Sequence, residues 1–345
     1  SRYTAPGDEE KVKLAKLGGT EWQRTRAKVK KATEEMAQEL IELYARRRQA
    51  TGYAFPPDGD WQRDFETRFD YDETDDQLNA TAEIKQDMEK GWPMDRLLCG
   101  DVGVGKTEVA LRAAFRAASE GRQVALLCPT TVLAEQHYQT FRARLAGFPV
   151  TVGLLSRFVP RARQKEVLKA AAEGQIDILL GTHRLLSSDV SLPNLSLLIL
   201  DEEQRFGVRH KEKLKALKKN VDVLTLTATP IPRTLQLSMS GIRDLSVIET
   251  APQDRKPVAT AVLRRDDVTL RTVLERELAR EGQVFWVYNR VQGLERVAEY
   301  VRKLVPTARV GMAHGQMSES KLESNMHKFW HGELDVLVCT AIVES

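Results

Sequence analysis

The sequence has few cysteines, no long hydrophobic run and no excess of charge of one sign. Only three of its 345 residues are cysteines, and each of them ends an apolar run that is typical of a buried strand: Cys99, Cys128 and Cys339. We therefore expect free, buried thiols and neither a disulfide framework nor a metal site built on cysteine. The absence of an apolar run of about 18 residues and of a signal peptide predicts a cytoplasmic protein without a membrane partner.

The charge of the chain is nearly balanced. It has 52 basic and 49 acidic residues, which gives a net charge of +3. A surface that binds nucleic acid must therefore come from the local arrangement of cations and not from bulk charge. The length exceeds that of most single cores and predicts about two domains with an appendage.

Residues 100–107 read GDVGVGKT and match every position of the phosphate-binding pattern G-x-x-x-x-G-K-[ST]. Glycines in such a loop let backbone N–H groups turn toward phosphates, Lys106 adds a point charge, and the Thr107 hydroxyl can ligate Mg²⁺. An apolar strand before the loop and an alanine-rich helix over residues 106–119 favour this interpretation over a glycine-rich turn without a ligand. The predicted nucleotide-binding residues here are Gly100, Gly103, Val104, Gly105, Lys106, Thr107 and Glu108.

Two carboxylates follow the apolar run 195–200 at the end of a predicted strand. Together with a phosphate-binding loop they predict the second half of an ATPase site. Asp201 would hold Mg²⁺ through water, and Glu202 would orient and deprotonate the water that attacks the γ-phosphate. Thr227 and Thr229, at the end of a later strand, have small hydroxyl side chains that suit a sensor of the γ-phosphate.

The order of predicted elements divides the chain into three parts, residues 1–56, 57–256 and 257–345. The first part contains a long amphipathic helix from about residue 20 to 50, which either packs on its own domain or acts as a lever between domains. Residues 58–76 hold nine acids against two arginines, and this predicts a solvated boundary. Helices then alternate with apolar runs, which predicts a parallel α/β sheet; a second such series begins with a predicted strand over residues 258–263.

Five segments carry a resemblance to a known superfamily. GDVGVGKTE, PTTVLAEQH, GTHRLL, DEEQRFGVRHKE and TATPIPRT are similar, in this order, to motifs I, Ia, Ib, II and III of superfamily-two helicases and translocases. The strings DEEQRFGV and TATPIPRT resemble two groups of DNA motors, the bacterial transcription-repair coupling factors and the branch-migrating recombination helicases. LGGTEW before the long basic helix, together with GDVGVGKTE and PTTVLAEQH, favours the coupling-factor family.

The resemblance implies a RecA-like P-loop sheet flanked by helices, preceded by a long helix and followed by an incomplete second RecA-like lobe. It places Phe69 and Gln77 in an adenine-reading motif, although Phe69 could also be a core anchor. Gln204 and Arg233 would couple the ATP site to the DNA-bound and interlobe surfaces. The implied DNA-backbone contacts are Thr130, Thr131, Arg157, Thr182, His183, Arg184, Asn289, Arg290, His314 and Gln316. Hydroxyls and cations of this kind suit phosphates and carry little base information, and a structural role stays open for His183 and Arg184.

The function implied by this resemblance is that of an ATP- and Mg²⁺-dependent translocase on double-stranded DNA, which displaces stalled RNA polymerase and couples transcription to excision repair. The RNA polymerase and the excision-repair recruitment factor would bind domains mostly or wholly outside these residues. The arginines of motif VI would follow residue 345, so we expect this chain to bind ATP and hydrolyse it slowly. A branch-migrating helicase and a non-catalytic interaction module remain alternatives.

Overall fold

The computed structural model describes residues 50–157, 159–206, 210, 213–214, 220–228, 244–253, 255 and 258–340. The predicted helix 20–50, except for its last residue, lies outside the described residues, as do Thr229 and Arg233. The chain divides into two compact units, the first within Ser1–Ala125 and Pro193–Ala251 and the second within Leu126–Leu192 and Pro252–Ser345. The predicted division at residues 56 and 256 stays a prediction.

Helices and parallel strands alternate along the described residues. The helices are α1 (Asp60–Thr67), α2 (Asp75–Met88), α3 (Lys106–Ser119), α4 (Thr131–Arg144), α5 (Arg161–Ala172), α6 (Asp267–Ala279), α7 (Leu294–Leu304) and α8 (Glu319–Trp330), with 3₁₀ turns at His183–Leu186 and Glu203–Arg205. The strands are β1 (Asp95–Gly100), β2 (Gln123–Leu127), β3 (Val152–Leu155), β4 (Ile178–Gly181), β5 (Leu195–Asp201), β6 (Asp222–Thr227), β7 (Asp244–Ile248), β8 (Val284–Val287), β9 (Val310–Ala313) and β10 (Val336–Cys339).

Seven strands form one parallel sheet in the order β3-β4-β2-β5-β6-β1-β7, and three form a second in the order β8-β10-β9. In the larger sheet β6 pairs in parallel with both β1 and β5, with Cys99 opposite Thr227 and Asp201 opposite Leu226. The carboxyl ends of three neighbouring strands therefore meet at one edge. This parallel sheet with flanking helices confirms the predicted α/β, RecA-like fold class.

Helix α3 packs closely in the first unit because its sequence is rich in alanine. Ten of its 14 residues are buried, and short side chains let a helix approach its neighbours closely. Phe115 on α3 stacks on Phe65 of α1, with ring centroids 4.3 Å apart, and both rings are fully buried. This packing fixes the helix that begins at the phosphate-binding loop.

The smaller sheet in the second unit is covered by an amphipathic helix. Leu294, Ala298 and Val301 repeat at helical spacing on α7 and are buried. They share one core with Leu274 of α6 and with Val336 and Val338 of β10. The three cysteines of the chain are free and buried, as the sequence predicts.

The structure corrects the sequence analysis at three places. The predicted strand over residues 258–263 is absent; Val258 and Val262 are 89% and 97% exposed, and no strand of the described residues pairs with this segment. Strand β7, which pairs with β1, was not predicted. The acidic segment 58–76 is not simply a solvated boundary, because its carboxylates pair with the largely buried cations Lys85, Arg112 and Arg116.

Candidate functional site

The loop between β1 and α3 has a backbone that only glycine adopts easily. Gly103 and Gly105 have φ angles of 81° and 88°, in the left-handed region that a side chain disfavours. A Cβ on Gly105 would collide with the side-chain amide of Gln77, and one on Gly100 would lie 2.7 Å from the carbonyl oxygen of Ile248. Helix α3 then begins without a side-chain cap, so its first N–H groups suit an anion.

Lys106 is the first residue of α3, and its side chain extends back to the start of this loop. Its Nζ donates to the carbonyl oxygens of Gly100 (2.7 Å) and Asp101 (2.8 Å). Burial lowers the pKa of Lys106, and the charges of Asp201 and Glu202 act in the opposite direction. The ammonium group is therefore partly desolvated and lies in the field of the two predicted catalytic carboxylates.

Glu202 is held by the ends of two strands. It has φ +51°, a left-handed backbone that non-glycine residues seldom adopt. Its Oε1 accepts a hydrogen bond from the Ala228 N–H at 2.9 Å, and its Oε2 accepts one from the Gln204 side chain. Gln204 Nε2 also lies 3.5 Å from Thr227 Oγ1. The structure thus brings together Glu202, Gln204 and Thr227, three residues that the sequence places in different roles.

The oxygen donors at this edge fit Mg²⁺ and a nucleotide. Thr107, in the first turn of α3, offers a hydroxyl, and Asp201, the last residue of β5, offers a carboxylate; Mg²⁺ prefers few protein oxygens together with phosphate and water. In the described part of the chain no group of three or more histidines, cysteines or acids could hold a metal ion. Thr107 and Asp201 would therefore supply two oxygen ligands to a metal that also binds phosphate oxygens.

Of the two predicted adenine-reading residues, Gln77 contacts the predicted phosphate-binding loop. Gln77 closes a capping box with Thr74 at the start of α2, and its Nε2 donates to the Val104 carbonyl oxygen at 2.9 Å. Phe69 is half-buried, with its ring centroid 5.5 Å from that of Tyr71. Gln77 therefore joins the segment before α2 directly to the loop, and Phe69 keeps part of its surface open.

The predicted DNA contacts of residues 130–184 follow the carboxyl ends of β2, β3 and β4, but their side chains differ in access. Thr130 caps α4 by accepting from the Leu133 N–H. Thr131 and Thr182 are 5% and 2% exposed, whereas Arg157 is exposed and His183 half-buried.

Arg184, another of these predicted contacts, is engaged within the protein. Its Nη1 and Nη2 donate to the two carboxylate oxygens of Asp189 at 2.6 and 2.5 Å. This hydrogen-bonded pair raises the pKa of Arg184 and lowers that of Asp189. To bind a DNA phosphate, the Arg184 guanidinium would have to break at least one of its hydrogen bonds to Asp189 or bind the phosphate through its remaining N–H groups.

The predicted contacts of the smaller sheet follow two of its parallel strands. Asn289 and Arg290 come after β8 and are exposed, and Gln316 comes after β9 and is exposed. His314 is half-buried, and its Nδ1 is buried without a hydrogen-bond partner. Since the strands are parallel, these residues share one edge of the sheet.

Several residues around the sites were not predicted from the sequence. Asp189 belongs to no sequence pattern that marks it, and Ala228 lies in the TATPIPRT segment without a predicted role; their roles come from hydrogen bonds with Arg184 and Glu202. The carboxylate of Glu108 accepts from Arg112 Nε at 3.2 Å, and the nucleotide contact of Glu108 stays a prediction. The T-x-x-Q capping box at Thr74 and Gln77 was readable from the sequence and was overlooked.

Two family models match the chain. The DEAD/DEAH box helicase model matches residues 74–238, and the helicase conserved C-terminal domain model matches residues 268–345. None of the helices within the described ranges is both long and apolar enough to cross a membrane.

Similar proteins include the transcription-repair-coupling factor of Bacillus subtilis, which is 58% identical over 96% of this chain, and that of Staphylococcus aureus, which is 54% identical over all of it. The chain spans 28% and 29% of the lengths of these relatives. Among solved structures, RecG bound to a three-way DNA junction has a TM-score of 0.71 and 33% identity over 90% of this chain and 43% of that one. Mycobacterium smegmatis helicase Lhr bound to single-stranded DNA and AMP-PNP has a TM-score of 0.59 at 20% identity, over 83% of this chain and 42% of that one, which reflects the fold alone.

Proposed function

Since this chain belongs to the transcription-repair-coupling factor family of superfamily-two helicases, we propose that it binds Mg²⁺-ATP at the loop of residues 100–107 and belongs to an ATP-driven double-stranded DNA translocase. In the whole protein this motor would displace stalled RNA polymerase in the cytoplasm, and a different domain would bind the excision-repair recruitment factor. For the 345-residue chain itself we expect nucleotide binding.

One observation carries this proposal. The Lys106 ammonium donates to the two carbonyl oxygens at the start of the loop, beside the uncapped N-terminus of α3, and Asp201 and Glu202 lie where a strand of the same sheet ends. A half-buried cation beside an uncapped helix N-terminus suits phosphate groups, and carboxylates at the same edge of the sheet suit a metal-bound phosphate.

The residues of the chain supply binding, orientation and proton transfer. Lys106 would exchange its two loop carbonyls for phosphate oxygens, and Thr107 with Asp201 would hold Mg²⁺, which when bound neutralises phosphate charge. Glu202 would accept a proton from the attacking water. The hydrogen bonds that Glu202 accepts from Ala228 and Gln204 would have to weaken as Glu202 turns toward that water. Because Ala228 directly follows β6, a movement of Glu202 would be coupled to the end of that strand.

A nucleotide-binding titration tests the proposal. Fluorescent ATP with Mg²⁺ should bind the unmodified chain and the control Lys169→Ala, whose side chain is 78% exposed. Lys106→Ala should lose at least about tenfold in affinity, because the charge on the phosphates is removed. Equal binding by Lys106→Ala and the control would refute the phosphate-loop assignment. Absence of binding by the unmodified chain would favour the non-catalytic interaction module.

The similarity to RecG bound to a three-way DNA junction supports a second candidate, a motor that acts on branched DNA. Fluorescence anisotropy with linear and three-way duplexes of equal length separates the two. Equal affinity favours a translocase on linear duplex, and a clear preference for the junction favours the branched-DNA motor.

A further inference from the structure

Arg112, on α3, is a buried cation that the ATP site described above does not use. Only 3% of its side chain is exposed. The carbon at the centre of its guanidinium lies 5.4 Å from the ring centroid of Phe69, within the range of a cation–π contact. The segment before α2 therefore contacts, through Phe69, a charged side chain of α3, the helix that follows the predicted phosphate-binding loop.

The guanidinium is only partly satisfied by hydrogen bonds. Its Nη1 donates to Glu73 and its Nε to Glu108 at 3.2 Å, but Nη2 is buried without a hydrogen-bond partner. A buried N–H group without an acceptor is costly, and the electron-rich face of an aromatic ring offsets part of that cost. The contact therefore fixes the guanidinium and the Phe69 ring together.

Phe69 keeps an open surface in this arrangement. The residue is half-buried, and the neighbouring Tyr71 ring is tilted by 58° and is itself largely exposed. Gln77, a few residues further on, touches the loop through Val104. An aromatic ring that a cation holds in place and that is partly exposed can stack on a planar base.

We propose that Arg112 is a positioning residue for nucleobase recognition, which holds the Phe69 ring in place for a purine and makes no contact with the phosphates. This inference rests on the proposed function, because it requires a nucleotide at the adjacent loop. Hydrogen bonds to Glu73 and Glu108 hold the guanidinium in one position on α3. The Phe69 ring is therefore held at a fixed distance from the helix whose N-terminus would face the phosphates.

The test separates base recognition from phosphate binding. Affinities for Mg²⁺-ATP and for Mg²⁺-tripolyphosphate, which lacks a base, are measured on the full chain and on Arg112→Met. ATP affinity should fall about fivefold, which corresponds to about 1 kcal/mol, while tripolyphosphate affinity stays unchanged. Arg112→Lys keeps the charge but not the planar group and should recover part of the loss; it also serves as the test if Arg112→Met does not fold.

The matched control is Arg116→Met, one helical turn further along α3. Arg116 is 4% exposed and pairs with Glu89 and Asp58, so its loss costs stability in the same helix without removing the charge under Phe69. It should leave the ratio of ATP to tripolyphosphate affinity unchanged. In a Phe69→Leu background, Arg112→Met should have no further effect on that ratio.

Three results would overturn the inference while leaving the phosphate-binding proposal intact. These are an equal loss of ATP and tripolyphosphate affinity in Arg112→Met, the same ATP-specific loss in Arg116→Met, and independent effects of Phe69→Leu and Arg112→Met. If the unmodified chain bound neither ligand, the proposed function would fail and this inference with it.

Discussion

Replacing Gly105 by alanine should destabilise the first unit through two separable effects. The residue has φ +88°, and its missing Cβ faces the side-chain amide of Gln77. That amide donates to the Val104 carbonyl oxygen at 2.9 Å. A methyl group therefore both occupies a left-handed conformation and displaces a buried hydrogen bond between α2 and the loop.

The magnitude follows from these two terms. A non-glycine residue in the left-handed region costs about 1–2 kcal/mol, and a lost intramolecular hydrogen bond about 1 kcal/mol. The free energy of unfolding should fall by about 2–3 kcal/mol, which corresponds to about 5–10 °C in Tm for a unit of this size. ATP affinity should fall as well, because the loop must move to admit the methyl group.

Two glycines of the same chain supply the control. Gly121 follows α3 with φ +68° and has no atom within 4 Å of its missing Cβ, and Gly103 has φ +81° with the same open space. Gly121→Ala should therefore cost only the backbone term and leave ATP binding unchanged. Gly103→Ala should lower the free energy of unfolding by this backbone cost alone, at a position within the loop.

The assay is urea unfolding followed by circular dichroism, together with ATP titration, for the three variants and for Gln77→Ala combined with Gly105→Ala. In the combined variant Gly105→Ala should cost only the backbone term. If Gly105→Ala costs no more than Gly121→Ala in the unmodified background, the contact with Gln77 has no energetic role and the reasoning is wrong.

Four further predictions follow from other contacts. Asp189→Asn should raise affinity for duplex DNA by about two- to fivefold at low salt, because it frees Arg184. Arg184→Gln should reduce the slope of log affinity against log salt concentration by about one. Fluorescence anisotropy over a salt series measures both effects. Hydrogen bonds from Arg309 lower the pKa of Asp335 in the folded state. The stabilising effect of the Asp335 carboxylate is therefore present above its ordinary pKa of about 3.9 and is lost as pH falls through the lower folded value. The free energy of urea unfolding should depend less on pH in this acidic range for Asp335→Asn than for the unmodified chain. Phe65→Ala should cost about 3–5 kcal/mol in urea unfolding, because the ring is fully buried against Phe115. Glu202→Gln should retain ATP binding, since a glutamine oxygen still accepts from Ala228, and should lower phosphate release in the full-length protein by about 100-fold or more.

The sequence was most informative where structure depends on neighbouring residues. Helix α3 runs over residues 106–119 and β5 over 195–201, as predicted, because glycine loops, helical spacing and apolar strand runs act over a few residues. Strand β7 was missed and the strand over 258–263 was wrong for one reason. A segment forms a strand only when another strand pairs with it, and the local sequence does not specify which strand that is.

The candidate site divides in the same way. Sequence alone predicted a phosphate-binding loop with its lysine and determined the positions of this loop and of the acidic strand end, because each is a contiguous pattern with one backbone geometry. Only the tertiary structure decided that Gln77 touches Val104, that Glu202 accepts from Ala228, that Asp189 pairs with Arg184 and that Arg112 lies against Phe69. Each of these contacts joins residues of separate segments, and their partners are fixed by the order of strands and the packing of helices.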